Sequence, residues 1–348
     1  MKRFVVLLCC FLLMGCASTP NLWGDAHPAI PAETVVLPLP PAATFTPSPA
    51  VSIDAVSTLT PAIVPILTAT LVPSEIERVL IISYDGMRPD AIEAAPMNNL
   101  LELMKTSAYS LTSDRTIDYP ATSPSHASML SGLCMEKHGV IYNKYFKYMG
   151  YSKGVDIFDL AHADGMRTVM IVSKDKLRQL AEPETTDVFE VRYGEKSVAQ
   201  AAVEQIAQDF GLMFVHFAGP DLRGHKYGWM SGEYLKVLRQ GDEALGKILT
   251  ALDENNLRDS TLVIVTADHG GHDKNHIGLL IEDYRIPWIA SGPKIIPGEI
   301  TTPLQTMDTA VTVAYALDLP LQPDWDGIPI YEAFGEPRIE FHPDNVCK

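Results

Sequence analysis

The sequence has little cysteine and a deficit of basic side chains, and each shortage excludes a class of protein. Of its five cysteines, three lie within the first 16 of 348 residues, so only Cys134 and Cys347 remain for the rest of the chain. Two cysteines cannot make a disulfide framework, and spacing alone does not decide whether they pair. The 27 Lys and Arg residues stand against 43 Asp and Glu, a formal net charge of −16. We therefore expect no nucleic-acid surface, because such a surface needs clustered positive charge.

The apolar run at the amino terminus is too short to span a bilayer as a mature helix. Residues 1–15, MKRFVVLLCCFLLMG, join a basic start to an apolar stretch that ends in small residues, which predicts a secretory signal peptide. The run closes with LMGC, which resembles the lipobox of bacterial lipoproteins and implies a lipid on Cys16. We therefore expect an extracytoplasmic protein anchored to a bacterial membrane through Cys16. An ordinary signal peptide cleaved near Ala17 is the alternative.

Regular secondary structure is not predicted between this signal and about residue 75. Residues 16–75 are rich in Pro, Ala and Thr, have few charges and show no helical period. Such a composition is typical of an extended, semi-stiff tether. Residues 76–348 are enough for one sizeable core and hardly for two. The sequence thus predicts a signal peptide, a tether and a single folded domain.

Apolar runs bounded by polar turns predict strands that are buried on both faces. They are RVLIISY at 78–84, TVMIVS at 168–173, LMFVHF at 212–217, TLVIVTA at 261–267 and IPWIAS at 286–291. Residues 197–210 and 232–256, which lie between such runs, repeat apolar side chains at helical spacing. This alternation predicts an α/β fold of three layers, in which helices cover both faces of a mainly parallel central sheet. In such folds, ligands bind outside the carboxyl ends of the strands.

Acidic residues and histidines follow three of these runs. They are Asp85 after the first run, Asp221 and His225 after the third, and Asp268, His269, His272 and His276 after the fourth. Taken singly, each is explained by a helix cap, a turn or a packing histidine. Together at one sheet edge they need a compensating cation, because buried unpaired charge is costly. Imidazole with carboxylate suits zinc, and this number of ligands suits two Zn²⁺ ions, with Mn²⁺ or Fe as alternatives.

Thr122 stands at the predicted start of a helix in PATSPSHASMLSG. A threonine with proline two positions later is an ordinary helix start, so the hydroxyl could serve only as an N-cap. Beside a divalent cation, however, the pKa of that hydroxyl would fall, and a helix N-terminus favours anions. We therefore predict that Thr122 is the nucleophile of a phosphoryl transfer.

Five segments together resemble the type I phosphodiesterase and nucleotide pyrophosphatase family of the alkaline phosphatase superfamily. In the family's order they are LIISYDGMRPD, YPATSPSHASMLSGLCMEKHGVIYN, GPDLRGHKYG, VIVTADHGG and MDTAVTVAYALDLPLQPDWDGIPI, within about residues 78–330. The resemblance implies an alkaline-phosphatase-like fold for residues 76–348. It also implies hydrolysis of phosphodiester or pyrophosphate bonds through a phosphothreonine intermediate at Thr122.

The resemblance further implies a role for individual residues. The residues implied for one zinc are Asp85, Thr122, Asp268 and His269, and those implied for the other are Asp221, His225 and a later histidine. Asn143 is placed beside a non-bridging phosphate oxygen, whereas its own sequence context would also fit a turn residue. His276 is preferred as the later histidine for its distance from IPWIASGP. His272 stays a rival, because Ile277 follows His276 where the family usually has glycine.

The resemblance implies that the substrate is a small phosphorylated molecule. No protein partner is predicted. Ser123 follows the nucleophile where nucleotide-cleaving members often carry an aromatic residue, so nucleotide preference is not implied. We expect phosphodiesters to be preferred over monoesters, because a site for monoesters normally adds a cationic contact and Asn143 is neutral. Lys174 and Lys176 are expected in a solvated loop, the usual place for lysine.

Four other functions are alternatives to phosphodiester hydrolysis on this scaffold. A phosphomonoesterase or a phosphotransferase could use the same metals. A sulfatase requires a cysteine or serine that is oxidised to formylglycine, and Thr122 cannot be converted in that way. A catalytically inactive binding protein is disfavoured by the intact nucleophile and the complete set of ligands.

Overall fold

The computed structural model of the chain describes residues 76–338, residue 342 and residues 346–347. The predicted signal peptide, the lipid site at Cys16 and the tether lie outside the described residues. All described residues belong to the larger of two units into which the chain divides, Ala69–Lys348. Among them, no helix combines the length and the apolarity that crossing a bilayer would require.

Strands and helices alternate through most of this unit. The strands are β1 (Arg78–Tyr84), β2 (Ala108–Ser110), β3 (Asp114–Arg115), β4 (Thr168–Val172), β5 (Val188–Val191), β6 (Leu212–Phe217), β7 (Thr261–Thr266), β8 (Trp288–Ser291), β9 (Gly298–Glu299) and β10 (Leu304–Gln305). The α-helices are α1 (Ala91–Ala94), α2 (Asn98–Met104), α3 (Thr122–Ser131), α4 (Met135–His138), α5 (Ile157–Ala163), α6 (Glu195–Ile206), α7 (Gly219–Tyr227), α8 (Gly232–Glu254), α9 (Ile281–Tyr284) and α10 (Asp308–Ala316). Short 3₁₀ helices occupy Lys147–Met149, Asp175–Leu180, Arg258–Ser260 and Tyr331–Phe334.

The central sheet has eight strands in the order β5-β4-β6-β1-β7-β8-β2-β9. The five strands from β5 to β7 are parallel to one another. Strand β8 is antiparallel to both of its neighbours. The connection from β7 to β8 contains one helix, the single turn α9. The predicted α/β fold with a mainly parallel sheet is confirmed.

Side chains of β1 point alternately into two separate cores, one on each face of the sheet. Leu80 and Ile82 join a core with helices α2, α6 and α8, whereas Val79 and Ile81 join a second core with α3, α5 and α10. Each of these side chains is fully buried, which stabilises the fold by about 1.5–3 kcal/mol per side chain. The predicted helical cover on both faces is confirmed, and it holds the carboxyl ends of the strands in place.

The two cysteines of the domain form a disulfide, which resolves the question left open by their spacing. Cys134 and Cys347 have Cα atoms 5.4 Å apart and are separated by 213 positions along the chain. The bond packs beside Ile117 and Met307. It ties the residue before α4 to the end of the chain.

Candidate active site

Four acidic and imidazole side chains meet where the central strands end. Asp85 directly follows β1, Asp221 lies in α7 after β6, and Asp268 and His269 follow β7. Because β1 pairs with β6 on one side and with β7 on the other, these residues are neighbours. The backbone N–H of Asp221 donates to the carbonyl of Asp85 over 2.9 Å. The structure therefore brings the predicted residues of three distant segments to one sheet edge.

The turn after β1 depends on Gly86. Its φ is +75°, and a Cβ there would lie 3.2 Å from the Cα of Asp221. Its N–H donates to Asp268 Oδ1 over 3.0 Å, and its carbonyl accepts from Trp229 Nε1 and from the Tyr234 hydroxyl. A larger residue would strain this turn and disturb the carboxylates that flank it.

Two clusters of ligand atoms are suited to metal ions. The first cluster contains Asp85, Asp268 and His269, and the second contains Asp221, His269 and His276, with the candidate atoms of each within 4.8 Å of one another. His269 belongs to both clusters, and its ring stacks on that of His276 with centroids 3.8 Å apart. His225 adjoins the second cluster, since its Nε2 lies 3.2 Å from Asp221 Oδ1.

The two histidines of these clusters and the adjoining His225 share one orientation. The Nδ1–H of each donates to a backbone carbonyl: His225 to Lys274 over 3.0 Å, His269 to Gly270 over 2.9 Å and His276 to Pro120 over 2.6 Å. Each bond leaves the Nε2 lone pair free to face a cation, which is the usual arrangement of a metal-ligating histidine.

Buried atoms without hydrogen-bond partners provide a test of whether metal ions fit. Asp85 Oδ1, Asp268 Oδ2 and His269 Nε2 have none within the described chain. Leaving such acceptors unpaired is costly, and here they converge on one another. A divalent cation would satisfy them together, so the residues fit the metal site that the sequence predicts.

His272, the rival to His276, lies outside both clusters. Its Nδ1–H donates to Asp283 Oδ1 over 2.6 Å, whereas His276 is buried beside Asp221 and His269. Burial, together with the nearby His269, lowers the pKa of His276 to about 4. A neutral imidazole at this position is the form that a metal ion requires.

Thr122 is the first residue of α3 and not its cap. Ala121 holds the cap position with extended backbone, and no side chain caps the helix. The alternative in which Thr122 serves as an N-cap is therefore wrong. The Thr122 hydroxyl accepts from Lys174 Nζ over 3.1 Å, which directs it to the carboxylates.

Lys174 lies inside the site, so the expectation that it belongs to a solvated loop is wrong. Its Nζ lies 2.6 Å from Asp85 Oδ2 and 2.6 Å from Asp221 Oδ2, and its side chain is 14% exposed. Although burial opposes the charge, Asp85 and Asp221 raise the pKa of Lys174. Burial would likewise raise the pKa of Asp85, yet Lys174 and His216 hold it well below its usual value. The expectation is wrong because β4 pairs with β6, so that both strands end at the same edge of the sheet and Lys174 lies beside the carboxylates there.

Lys176 contacts Asn143, which is bound to the residue that follows Thr122. Its Nζ donates to Asn143 Oδ1 over 2.6 Å, and the same oxygen accepts from the N–H of Ser123 over 3.0 Å. Burial, followed by the charge of Lys174, lowers the pKa of Lys176 to about 8. The expectation that Lys176 lies in a solvated loop is therefore wrong as well.

Two further buried histidines support the site and have no role in the sequence-based prediction. His216 accepts from the N–H of Ser173 at Nδ1, over 3.2 Å, and its Nε2–H donates to Asp85 Oδ2 over 2.9 Å. His126 donates from Nδ1 to the carbonyl of Thr122 over 2.8 Å. The only signal in the sequence was a histidine within an otherwise apolar strand or helix, which is more often a packing residue.

Large apolar side chains are exposed at several places in the described part of the chain. Several of them adjoin predicted site residues along the chain: Ile141, Tyr142, Leu222, Tyr227, Ile277, Leu279, Leu280 and Ile281. Leu279 is 95% exposed. We call this set the apolar rim.

The sequence model of the type I phosphodiesterase / nucleotide pyrophosphatase family matches residues 79–160 and 173–284, which is more than half of the chain. The chain belongs to this family. The match spans every predicted metal ligand as well as Thr122 and Asn143. The resemblance to this family is thereby confirmed, and the match covers the first four of the five segments but not the fifth, residues 307–330.

Individual relatives are distant. The bis(5'-adenosyl)-triphosphatase enpp4 of Xenopus laevis is 25% identical over 218 residues, covering 57% of this chain and 48% of that protein. The chain thus spans about half the length of the curated relatives it matches.

Solved structures confirm the alkaline-phosphatase-like fold. A 2-O GAG sulfatase has a TM-score of 0.63 and 14% identity, covering 77% of this chain and 76% of its own. Murine ectonucleotide pyrophosphatase / phosphodiesterase 5, in an inactive form in complex with AMP, has a TM-score of 0.60 and 16% identity, covering 74% of this chain and 98% of its own. At these identities the likeness concerns the fold alone.

Proposed function

We propose that this chain hydrolyses phosphodiester or pyrophosphate bonds through a phosphothreonine intermediate at Thr122. The position of the Thr122 hydroxyl carries the proposal: it begins α3 and contacts an ammonium that bridges Asp85 and Asp221. Membership of the phosphodiesterase family supports phosphoester chemistry. The AMP complex of the murine relative supports a small phosphorylated substrate.

The metals of the proposal are two zinc ions, with manganese or iron as alternatives. The residues that would hold them are Asp85, Thr122, Asp268 and His269 for one ion and Asp221, His225 and His276 for the other. When bound, such ions lower the pKa of a hydroxyl and stabilise charge on phosphoryl and leaving oxygens. Lys174 lies between two of the carboxylates, and dications held by those carboxylates would repel its ammonium.

The protein's own groups then act in two half-reactions. The Thr122 oxygen bonds to phosphorus as the bond from phosphorus to the leaving oxygen breaks, and the proton that Thr122 loses is balanced by the proton that the leaving group gains. Water then gives OH to phosphorus and H to the Thr122 oxygen, which restores the threonine and releases phosphate or a monoester. Asn143 Oδ1 is held by Ser123 and Lys176, which leaves its Nδ2 hydrogens to donate to a non-bridging oxygen. His126 fixes the carbonyl of Thr122 and so orients the start of the helix.

A second candidate function, phosphomonoester hydrolysis, is favoured by Lys174 and Lys176. A monoester dianion carries one more charged oxygen than a diester, and two ammonium groups beside Thr122 and Asn143 could bind it. The apolar rim favours the diester instead, because the second organic group of a diester would contact it. These two features act on different parts of the substrate and can be separated by substitution.

The ratio of kcat/KM for a bis-aryl phosphate to that for the matching aryl monophosphate tests the proposal. We expect measurable hydrolysis of the diester by the wild-type protein, and Lys176→Met is expected to lower kcat/KM for the monoester about tenfold more than for the diester, the equivalent of one charged hydrogen bond. Lys144→Met is the control, because Lys144 lies over the Phe146 ring, 5.3 Å from its centroid. A wild-type ratio well below one would assign the site to monoesters, and an unchanged ratio in Lys176→Met would exclude Lys176 from binding the substrate.

The location is proposed from the amino-terminal sequence: an extracytoplasmic enzyme anchored to a bacterial membrane by a lipid on Cys16. The disulfide of Cys134 and Cys347 supports an oxidising compartment. Cys16→Ser is expected to move the protein from the membrane fraction to the soluble extracytoplasmic fraction, measured by immunoblotting of fractionated cells. Persistent membrane association of this variant would mean that another segment attaches the protein.

A further inference from the structure

The loop that follows His269 is closed by backbone hydrogen bonds to α9. The N–H of Gly270 donates to the carbonyl of Asp283 over 2.9 Å, and the N–H of Gly271 donates to that of Glu282 over 2.7 Å. We call residues 270–272 and residues 282–283 the two arms of the loop. A Cβ at Gly270 would lie 2.0 Å from the Glu282 carbonyl oxygen, so the backbones of the two arms approach so closely that only glycine fits at position 270. His276 lies in the loop between these arms.

A side-chain bond joins the same two arms. His272 donates from Nδ1 to Asp283 Oδ1 over 2.6 Å. The Asp283 side chain is fully buried, and its other oxygen has no hydrogen-bond partner within the described chain, whereas His272 is 22% exposed. Loss of the histidine would leave a buried carboxylate without this donor, which is strongly unfavourable. The bond therefore holds the arms together, although neither residue belongs to a metal cluster.

His272 also begins the tight turn that leads to His276. The backbones of His272 and Asn275 exchange two N–H to carbonyl bonds, each of 2.8 Å. Within this turn the carbonyl of Lys274 accepts from His225 Nδ1 over 3.0 Å. His276 is the next residue after the turn. Both histidines implied for the second zinc are thus oriented by a turn whose first residue is held by Asp283.

We infer that His272 and Asp283 are a positioning pair for the metal site of Asp221, His225 and His276. The pair fixes the turn of residues 272–275, and the turn sets the direction of His225 Nε2 and the position of His276. The inference rests on the metal centre of the proposed function. It does not depend on which phosphate ester the enzyme cleaves.

Zinc affinity, measured by titration of the full-length protein against a chromophoric chelator, tests this inference. His272→Ala is expected to weaken one of the two ions by about 10–100-fold, the usual effect of removing a group that orients a metal ligand. The other ion should change by less than about threefold, because Asp85, Asp268 and Thr122 lie outside the turn. The visible spectrum of the Co²⁺-substituted protein should change for one ion only.

Two variants serve as controls. His162→Ala removes a histidine of a surface pair, 3.7 Å from Asp187 and partly exposed, and should leave both affinities unchanged. His272→Gln keeps an N–H donor for Asp283 and should restore most of the lost affinity. Equal weakening of both ions, or no weakening, would overturn the inference.

Asp283→Asn keeps the test decisive if His272→Ala does not fold. It preserves the volume and the accepting oxygen but removes the charge, and it should weaken the same ion by a smaller factor. Unchanged affinities and spectrum in a folded Asp283→Asn protein would also overturn the inference. A protein that binds two zinc ions but cleaves no phosphate ester would refute only the proposed function, whereas a protein that binds no divalent metal would refute the metal centre and this inference with it.

Discussion

Thr122→Ala is expected to retain its fold and its metal ions but to lose phosphate-ester turnover by about 10³-fold or more, as expected for removal of a nucleophile. Because the Thr122 hydroxyl does not cap α3, its removal costs only its bond to Lys174, about 1 kcal/mol. Steady-state kcat, the melting temperature and the zinc content of the purified variant are the measurements. Thr122→Ser keeps a hydroxyl and is expected to remain active.

Ser123→Ala is the matched control for this prediction. The Ser123 hydroxyl is one residue away, buried, and without a hydrogen-bond partner in the described part of the chain. It could in principle attack in place of Thr122, so the two variants distinguish the nucleophiles. We expect Ser123→Ala to be active. Normal turnover by Thr122→Ala, or its loss in Ser123→Ala alone, would show that Thr122 is not the nucleophile.

Removal of the metal ions is expected to abolish activity, and re-addition of zinc to restore it. The purified protein should contain about two zinc ions per chain. Asp268→Ala should lose one ion and His225→Ala the other, because these residues adjoin different clusters. His269→Ala should weaken both, since His269 belongs to each cluster.

Atomic emission spectroscopy of dialysed variants measures this prediction, with His162→Ala as the control that should keep both ions. Full activity of a metal-free sample would contradict the whole metal assignment. Loss of both ions from Asp268→Ala and from His225→Ala alike would show that the ligands are divided wrongly or that the ions bind cooperatively.

The positions of the predicted ligands in the structure follow from a local rule. Asp85, Asp221 and Asp268 each come shortly after an apolar run, and the carboxyl ends of parallel strands share one edge. That rule needs no knowledge of strand order, which is why residues far apart in the chain could be grouped from the sequence. The rule does not apply to Thr122, because no long strand precedes α3. Its place at the metal site was predicted from the resemblance to the family.

Lys174 shows where the usual exposure of a residue type misleads. Lysine in a polar segment is usually solvated, and nothing near Lys174 in the sequence opposes that interpretation. The pairing of β4 with β6 brings it to the carboxylates, and their charge then outweighs the cost of burying an ammonium. Lys174 follows the apolar run of residues 168–173 and so lies at the edge that the rule indicates, but only the order of the strands shows that its ammonium reaches Asp85 and Asp221.

The sequence by itself determined the alternation of strands and helices, the family and the residue types that gather at the sheet edge, because periodicity and motifs are local. Only the tertiary structure decided that Ala121 and not Thr122 occupies the cap position of α3, that Lys174 contacts Thr122 and Lys176 contacts Asn143, that His272 bonds to Asp283, and that Cys134 meets Cys347 across 213 positions. Each of these contacts joins side chains whose distance depends on how the layers pack. Packing arises from many weak interactions distributed over the chain, so no short segment encodes it.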